Sequence, residues 1–285
     1  MTQVPKPIIS IAIPTYEMKD QGAFFLERCL GSIQKQSDIE LENIEIVISD
    51  QSLDDSIKQV CQSHPLQPRY QHTKSGRGKA AYNLNQALSL ARGSYIKILF
   101  QDDFLVEEDY LLTLQKIIEE KRPQCIISAA LHSKDGEDLF NPVTPKTNPY
   151  FLFGNNTISS PSALTLESII AKKMLFDENL QMLFDCEFYY RMFEQCQSIS
   201  MIDSIHIANG IWEGQSQHHI NTKQFTKEMR YLNWKHPQAQ LEANLPEYKK
   251  VFFQLHPTAS LPFSENIRVG LIDQMLFNLK SKMHR

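Results

Sequence analysis

Short apolar runs alternate with amphipathic stripes along the first half of the chain. Residues 8–13, 44–48 and 95–100 are rich in β-branched side chains and stop at polar residues, which is typical of buried strands. A more polar strand is predicted at 69–72, and further strands at 125–130 and 199–208. Apolar residues at helical spacing predict helices over 24–33, 54–61, 80–91, 111–118, 166–173 and 185–195. This alternation predicts an α/β fold with a Rossmann-like, mainly parallel sheet flanked by helices.

The pattern changes after Leu131. Residues 133–157 contain many Asn, Pro, Gly and Asp residues without a clear period, so we expect a long loop or an irregular insertion there. From Thr222 onward the spacing is mostly helical, with breaks at prolines. We therefore expect an α/β domain over residues 1–215 and a helical C-terminal extension over residues 216–285.

Three of the predicted strands end in polar segments. These are Thr15-Tyr16-Glu17, Ser49-Asp50-Gln51-Ser52 and Gln101-Asp102-Asp103. Ligands of parallel α/β sheets bind beyond the carboxyl ends of the strands, so we expect the three segments to meet in one cleft.

The adjacent carboxylates Asp102 and Asp103 carry the strongest chemical indication. Such a pair repels itself unless a cation or hydrogen-bond donors compensate. Hard divalent cations take oxygen ligands and leave positions open for phosphate oxygens, so a metal–diphosphate site suits these residues. The alternative is a solvated turn in which one Asp caps the helix beginning near Val106.

Composition narrows the range of partners. The chain has 29 basic and 33 acidic residues, a net charge of −4, so no general basic field favours nucleic acid. Five cysteines without C-x-x-C spacing favour a reducing compartment. The apolar runs are too short to cross a bilayer, and the first residues lack a secretion signal. We expect a cytoplasmic protein, with peripheral attachment at the inner face of the membrane left open, as is the oligomeric state.

Four segments resemble the inverting glycosyltransferases of family 2. They are residues 11–16, 46–54, 78–83 and 91–96, and the resemblance extends more weakly over 158–195. It implies a GT-A fold and transfer of a hexose-type sugar, with inversion, from a UDP- or dTDP-sugar donor. The implied acceptor is a hydroxyl of a glycan or a lipid-linked saccharide, and the implied cofactor is Mn²⁺ or Mg²⁺.

The resemblance also implies roles for single residues. Asp50 would accept a hydrogen bond from the imide of uracil or thymine. Asp102 would hold the metal, joined by His218 from a late loop, and Asp103 would lie near the donor sugar. Arg77 and Lys79 would neutralise the diphosphate. The remaining nucleotide-binding residues would be Pro14, Thr15, Tyr16, Glu17, Ser52 and Gln101.

An inverting transfer needs one general base for the acceptor hydroxyl. Residues 184–191 resemble the family's acidic pair followed by an aromatic stretch and Arg, and Asp185 is the residue implied as base. An N-cap role for Asp185 and a catalytic role for Glu187 are the alternatives. His218 and His219 could equally be a surface pair.

Two departures and two rival functions remain. Phe100 replaces the first carboxylate of the family's D-x-D motif, and Ser49-Asp50-Gln51-Ser52 replaces Asp-Asp-Gly-Ser. The loss at Phe100 leaves open a non-catalytic nucleotide-sugar or glycan-binding module on the same fold. Residues 76–81 also fit the dinucleotide fingerprint G-x-G-x-x-A of nicotinamide-dependent oxidoreductases, although the preceding segment is polar for a central strand.

Overall fold

The computed structural model describes residues 6–40, 43–214 and 222–255. One twisted sheet passes through this part of the chain, with strands in the order β3-β2-β1-β4-β8-β6-β9-β5 and β7 paired outside β6. The strands are β1 (Ile9–Thr15), β2 (Ile44–Asp50), β3 (Arg69–His72), β4 (Tyr95–Ile98), β5 (Phe104–Leu105), β6 (Cys125–Ser133), β7 (Leu139–Val143), β8 (Leu164–Glu167) and β9 (Ile199–Gly210).

The first half of the sheet is parallel. β1 lies between β2 and β4, and β3 forms the edge beyond β2. Helices α1 (Gly22–Gln34), α2 (Ser56–Ser63), α3 (Ala80–Leu90) and α4 (Tyr110–Lys121) cover the two faces. β1 is buried along its whole length because both faces are covered, which explains its continuous apolar run. The sequence-predicted strand–helix order is confirmed here.

The second half of the sheet is mixed. β8 runs antiparallel to β4 and β6, whereas β9 runs parallel to β6 and antiparallel to β5. The α/β class is confirmed, but the sheet is parallel only in its first half. The prediction of a helix over 166–173 is wrong at its start, since Leu164–Glu167 is a strand and α5 covers Ser168–Lys173. The expected irregular segment 133–157 contains β7, an exposed edge strand interrupted by Asn141 and Pro142, two residues that are rare in strands.

Three further helices complete the described chain. They are α6 (Phe184–Gln195), α7 (Thr222–Lys235) and α8 (Leu241–Leu255). Apolar side chains of α7 and α8 form a cluster with Leu152, Phe153 and Leu183, which precede and adjoin α6. The division at residue 215 stays a prediction. Within the described ranges, each helix is too short or too polar to span a bilayer.

Candidate active site

A cleft of about 480 Å³ opens at the carboxyl ends of β1, β2 and β4. Its volume falls in the usual range for small-molecule sites. The register pairs Thr15 with Asp50, and β4 lies on the other side of β1, so the three polar strand ends meet as expected. Sequence-predicted residues in the wall are Pro14, Tyr16, Glu17, Arg77, Lys79, Gln101 and Asp102.

Asp50 lies beneath this wall and is fully buried. One carboxylate oxygen accepts hydrogen bonds from the backbone N–H and hydroxyl of Ser52, at 3.0 and 2.6 Å. The Tyr70 hydroxyl donates to the other carboxylate oxygen at 2.8 Å, and the Thr15 hydroxyl donates to the first oxygen at 3.2 Å. The carboxylate thus fixes the ends of β1 and β2, and direct contact with a pyrimidine base stays a prediction for Asp50, Thr15 and Ser52.

Gln101 holds the loop that follows β1. Its side-chain oxygen accepts from the Tyr16 backbone N–H at 2.7 Å, and its amide nitrogen donates to the carbonyls of Tyr16 and Gly22, both at 3.0 Å. This support leaves the ring of Tyr16 in the cleft wall with 39% of the residue exposed. Burial, together with the charge of Asp102, raises the pKa of Tyr16 to about 12, so the phenol is a neutral donor at physiological pH.

A charged pair crosses the cleft rim. Arg77 donates to Glu17 at 3.1 Å through one nitrogen and forms a second bond to it through another. This hydrogen bonding lowers the pKa of Glu17. Lys19 and Lys79 also line the cleft, so three cationic side chains border the space where an anionic ligand would lie.

Asp102 and Asp103 point in opposite directions. Asp102 lines the cleft and accepts a hydrogen bond from the indole N–H of Trp212 at 3.2 Å, while the Asp102 backbone carbonyl accepts from Arg28 at 2.6 Å. Asp103 is 3% exposed, and it accepts from Ser160, Asn209 and the Gly210 N–H, each at 2.9 Å.

β9, which supplies Asn209 and Gly210 as partners of Asp103, lies very close to the backbone of Asp102. A Cβ on Gly210 would lie 2.1 Å from the Asp102 carbonyl oxygen, so only glycine permits this approach. Asp103 therefore fixes the strand end from inside the protein, and its expected contact with the donor sugar stays a prediction.

Asp185 stands in the first turn of α6 and is half-buried. It accepts from the Cys186 N–H at 2.7 Å and from the Asn156 side chain at 3.0 Å. Burial raises the pKa of Asp185 to about 6, even though these hydrogen bonds oppose the shift. A carboxylate with that pKa is ionised at neutral pH and is a stronger base than an exposed one.

A chain of hydrogen bonds joins Asp185 to Asp103, in the turn between β4 and β5. Asn156 donates to the Ser159 carbonyl at 2.8 Å, and the Ser159 hydroxyl donates to Asn209 at 2.5 Å. Asn209 in turn donates to Asp103, the neighbour of Asp102. The sequence-predicted base and metal-facing residue are thereby connected through one network.

Glu187, the rival carboxylate, is fully buried in an ionic cluster. Arg191 donates to it at 2.8 Å, Lys235 lies 2.8 Å away and His236 lies 2.9 Å away. Burial alone would raise the pKa of Glu187, but the hydrogen bonds and these cations outweigh it and lower the pKa to about 2. Its oxygens bind protein groups, which suits a structural role.

Comparison with known proteins identifies the chain. A profile of Glycosyl transferase family 2 matches residues 10–188, more than half of the sequence. This protein belongs to glycosyl transferase family 2. The glycosyltransferase is 32% identical over 123 residues to Glycosyltransferase GlyG of Streptococcus pneumoniae, covering 42% of this chain and 38% of GlyG. It is 29% identical over 120 residues to the chondroitin synthase of Pasteurella multocida, covering 42% of this chain and 12% of the synthase. The chain therefore spans less than two fifths of the length of these relatives.

Solved structures confirm the GT-A fold of the glycosyltransferase. Residues 1–349 of S. aureus TarS in complex with UDP-GlcNAc give a TM-score of 0.67 at 18% identity, over 93% of this chain and 77% of that one. The mannosyltransferase PcManGT from Pyrobaculum calidifontis, in complex with GDP-Man and Mn²⁺, gives a TM-score of 0.55 at 15% identity. This match covers 98% of this chain and 81% of that one.

Family membership excludes the dinucleotide-fingerprint alternative, and the fold gives the reason. Gly76 and Gly78 have positive φ values in the turn before α3. The strand that precedes them is β3, the polar edge of the sheet. The fingerprint requires a buried central strand at that point.

The donor atoms present in the glycosyltransferase fit a metal held jointly with a ligand. Across residues 6–40, 43–214 and 222–255, no three His, Cys, Asp or Glu side chains converge as a complete metal site. Asp102 brings one carboxylate to the cleft, and Mg²⁺-like ions commonly combine one or two carboxylates with substrate phosphates. His218 and His219 lie outside the described residues, so their metal-binding role stays a prediction.

Two of the wall residues that were not among the sequence-predicted site residues are Trp212 and Asn83. Trp212 bonds to Asp102, which its isolated position in the sequence did not indicate. Asn83, in the first turn of α3, donates to the Thr15 carbonyl at 2.9 Å, which fixes its amide. Its side-chain oxygen is buried and has no hydrogen-bond partner among the described residues, and the residue lines the cleft. The 78–83 segment marks its place, but only the fold shows which atom is left to bind.

Proposed function

We propose that this glycosyltransferase transfers a hexose-type sugar from a UDP- or dTDP-sugar to a saccharide hydroxyl with inversion, using a divalent metal and Asp185 as general base. The observation that carries the proposal is the placement of Asp185. It has a pKa of about 6 and is hydrogen-bonded through Asn156, Ser159 and Asn209 to Asp103, the residue next to Asp102.

The cleft suits a nucleoside diphosphate sugar. Tyr16 offers an aromatic ring, Asn83 offers a hydrogen-bond acceptor, and Arg77 and Lys79 offer positive charge for the diphosphate. An acceptor oxygen fits the imide N–H of uracil or thymine. The UDP-GlcNAc complex of TarS supports a uridine donor, and the GDP-Man complex of PcManGT is the reason to test guanosine donors as well.

The chain's own residues would act at two places in the reaction, the attacking hydroxyl and the departing diphosphate. Asp185 takes the proton from the acceptor hydroxyl as that oxygen attacks the anomeric carbon from the face opposite the diphosphate. Arg77 and Lys79 stabilise the negative charge that grows on the departing diphosphate. Asp102 would hold Mn²⁺ or Mg²⁺, which when bound adds Lewis-acid stabilisation of the same charge.

The acceptor is proposed to be a growing glycan or a lipid-linked saccharide. Relatives named as chondroitin synthase and hyaluronan synthase support a saccharide acceptor. The five free cysteines suit a reducing compartment, so we propose action in the cytoplasm or at the inner membrane face.

Calorimetry and a transfer assay test the proposal together. UDP is titrated with and without Mn²⁺ into the wild type and Asp102→Ala, and release of UDP from a panel of nucleotide sugars is followed in the wild type and Asp185→Asn. We expect Asp102→Ala to lose the Mn²⁺-dependent part of UDP affinity and Asp185→Asn to keep affinity but lose turnover. Unchanged UDP–Mn²⁺ affinity in Asp102→Ala would exclude the metal role. Binding without turnover of any donor would favour the non-catalytic module.

A further inference from the structure

The carboxylate of Glu228 lies buried between α7 and the loop that leads into α6. Only 2% of this residue is exposed. Its oxygens accept hydrogen bonds from three consecutive backbone N–H groups, those of Gln181 at 3.0 Å, Met182 at 3.0 Å and Leu183 at 2.9 Å. Gln224, one turn earlier on α7, donates to the same carboxylate at 2.6 Å. A carboxylate held by successive amides is a strong and directional anchor.

The anchored amides lead directly into the first turn of α6. Leu183 is the N-cap of this helix, and no side chain caps it locally. Helix N-termini need hydrogen-bond acceptors and favour negative charge. Glu228 therefore supplies, from another helix, the acceptor for the N-cap amide of Leu183 and for the two amides before it. Asp185 follows two residues later, so the anchor fixes the backbone from which Asp185 projects.

A second contact ties the same two helices together. Glu187, one turn into α6, is bound by Lys235 and His236 at the end of α7. α7 thus contacts the start of α6 through two buried carboxylates: Glu228 binds residues 181–183, before Asp185, and Glu187, after Asp185, is bound by the end of α7. α7 begins at Thr222, whereas the family profile ends at residue 188, so the family's shared segment does not include this support.

We propose that Glu228 is a positioning residue for sugar transfer, which fixes the loop 181–183 and thereby orients Asp185 toward the acceptor hydroxyl. The inference rests on the proposed function, in which Asp185 is the base. It means that a residue of α7, in the helical C-terminal part of the chain, is needed for turnover.

Glu228→Gln tests this in the full chain, because it keeps the size of the side chain and turns one acceptor oxygen into a donor facing an amide. Lys227→Gln, an exposed change on the same turn, is the matched control. We expect kcat to fall on the order of 100-fold in Glu228→Gln, as for a small displacement of a reacting group, with the donor KM and UDP affinity unchanged. Glu228→Asp, which keeps the charge, serves as a milder variant if Glu228→Gln folds poorly.

Hydrogen–deuterium exchange supplies a readout that needs no turnover. The amides of 181–186 should exchange faster in Glu228→Gln and be unaffected in Lys227→Gln. Wild-type kcat in Glu228→Gln, unchanged protection of 181–186, or a parallel loss of UDP affinity would overturn the positioning role. Full kcat in Asp185→Asn would instead refute the proposed base, whatever Glu228→Gln does.

Discussion

Replacing Asp185 with Asn should make the protein more stable and much less active at neutral pH. The carboxyl loses its proton near pH 3.9 in the unfolded chain but near pH 6 in the folded protein. Between these values the folded state binds more protons, so stability falls as the pH rises through this window. A shift of about two pKa units corresponds to roughly 3 kcal/mol of destabilisation above pH 6. The Asn variant has no ionisable carboxyl at this position, so this destabilisation is absent from it.

The Oδ1 atom of the Asn side chain can still accept from the Cys186 N–H, but its amide nitrogen cannot accept from Asn156, a loss of about 1 kcal/mol. The expected net gain in the free energy of unfolding is therefore about 2 kcal/mol at pH 7.5, and it should vanish near pH 4. kcat should fall by about 10²- to 10⁴-fold, since the general base is gone. In the wild type, kcat should drop about tenfold per pH unit below pH 6.

Urea unfolding at pH 4 and pH 7.5, with a pH–rate profile of the wild type, measures both effects. A variant that is less stable than the wild type at pH 7.5 would show that Asp185 is not strained by burial. An acid limb of kcat near pH 4 would show that a different, exposed carboxylate is the base. Either result would refute the reasoning.

Three further changes probe the surroundings of the site. Glu187→Gln should lower the free energy of unfolding at pH 7 by about 3–5 kcal/mol because it removes the buried carboxylate that pairs with Arg191 and Lys235, and a loss below about 1 kcal/mol in urea unfolding would contradict this. The wild-type contribution of Glu187 should disappear as the pH falls from about 4 toward about 2. Asn83→Ala should weaken UDP binding about tenfold in calorimetry if its free oxygen recognises the base, and unchanged affinity would exclude that role. Trp212→Phe should abolish the change in tryptophan fluorescence on UDP–Mn²⁺ binding while Trp234→Phe retains it, because Trp212 contacts Asp102; a response that survives Trp212→Phe would place the site elsewhere.

The parallel half of the fold could be predicted from sequence because its strands are buried on both faces and end in polar residues. The observed bounds of β1, β2 and β4 lie within two residues of the predicted runs. β8 could not be separated from the helix that follows, because the strand has only four residues and Leu166 lies at helical spacing from Ile169 and Ile170. β7 could not be predicted because Asn141 and Pro142 break the strand pattern in a segment of only five residues.

The candidate site was predictable in its location more than in its atoms. Strand ends of one sheet must meet, so the convergence of Thr15, Asp50 and Asp102 followed from topology. Topology did not show which of the two adjacent carboxylates, Asp102 or Asp103, faces the cleft. That direction depends on the hydrogen-bond partners that β9 provides. Glu228 lies 43 residues after Asp185 in the numbering, and its contact exists only through the packing of α7.

The inward turn of Asp103 has a consequence for donor affinity. Because Asn209, Ser160 and the Gly210 amide already hold this residue, the loop bearing Asp102 is ordered before any ligand arrives. Binding then loses little conformational entropy at that loop, and more of the contact energy with the diphosphate appears as affinity. The buried Asp103 thus preorganises Asp102, which lines the cleft.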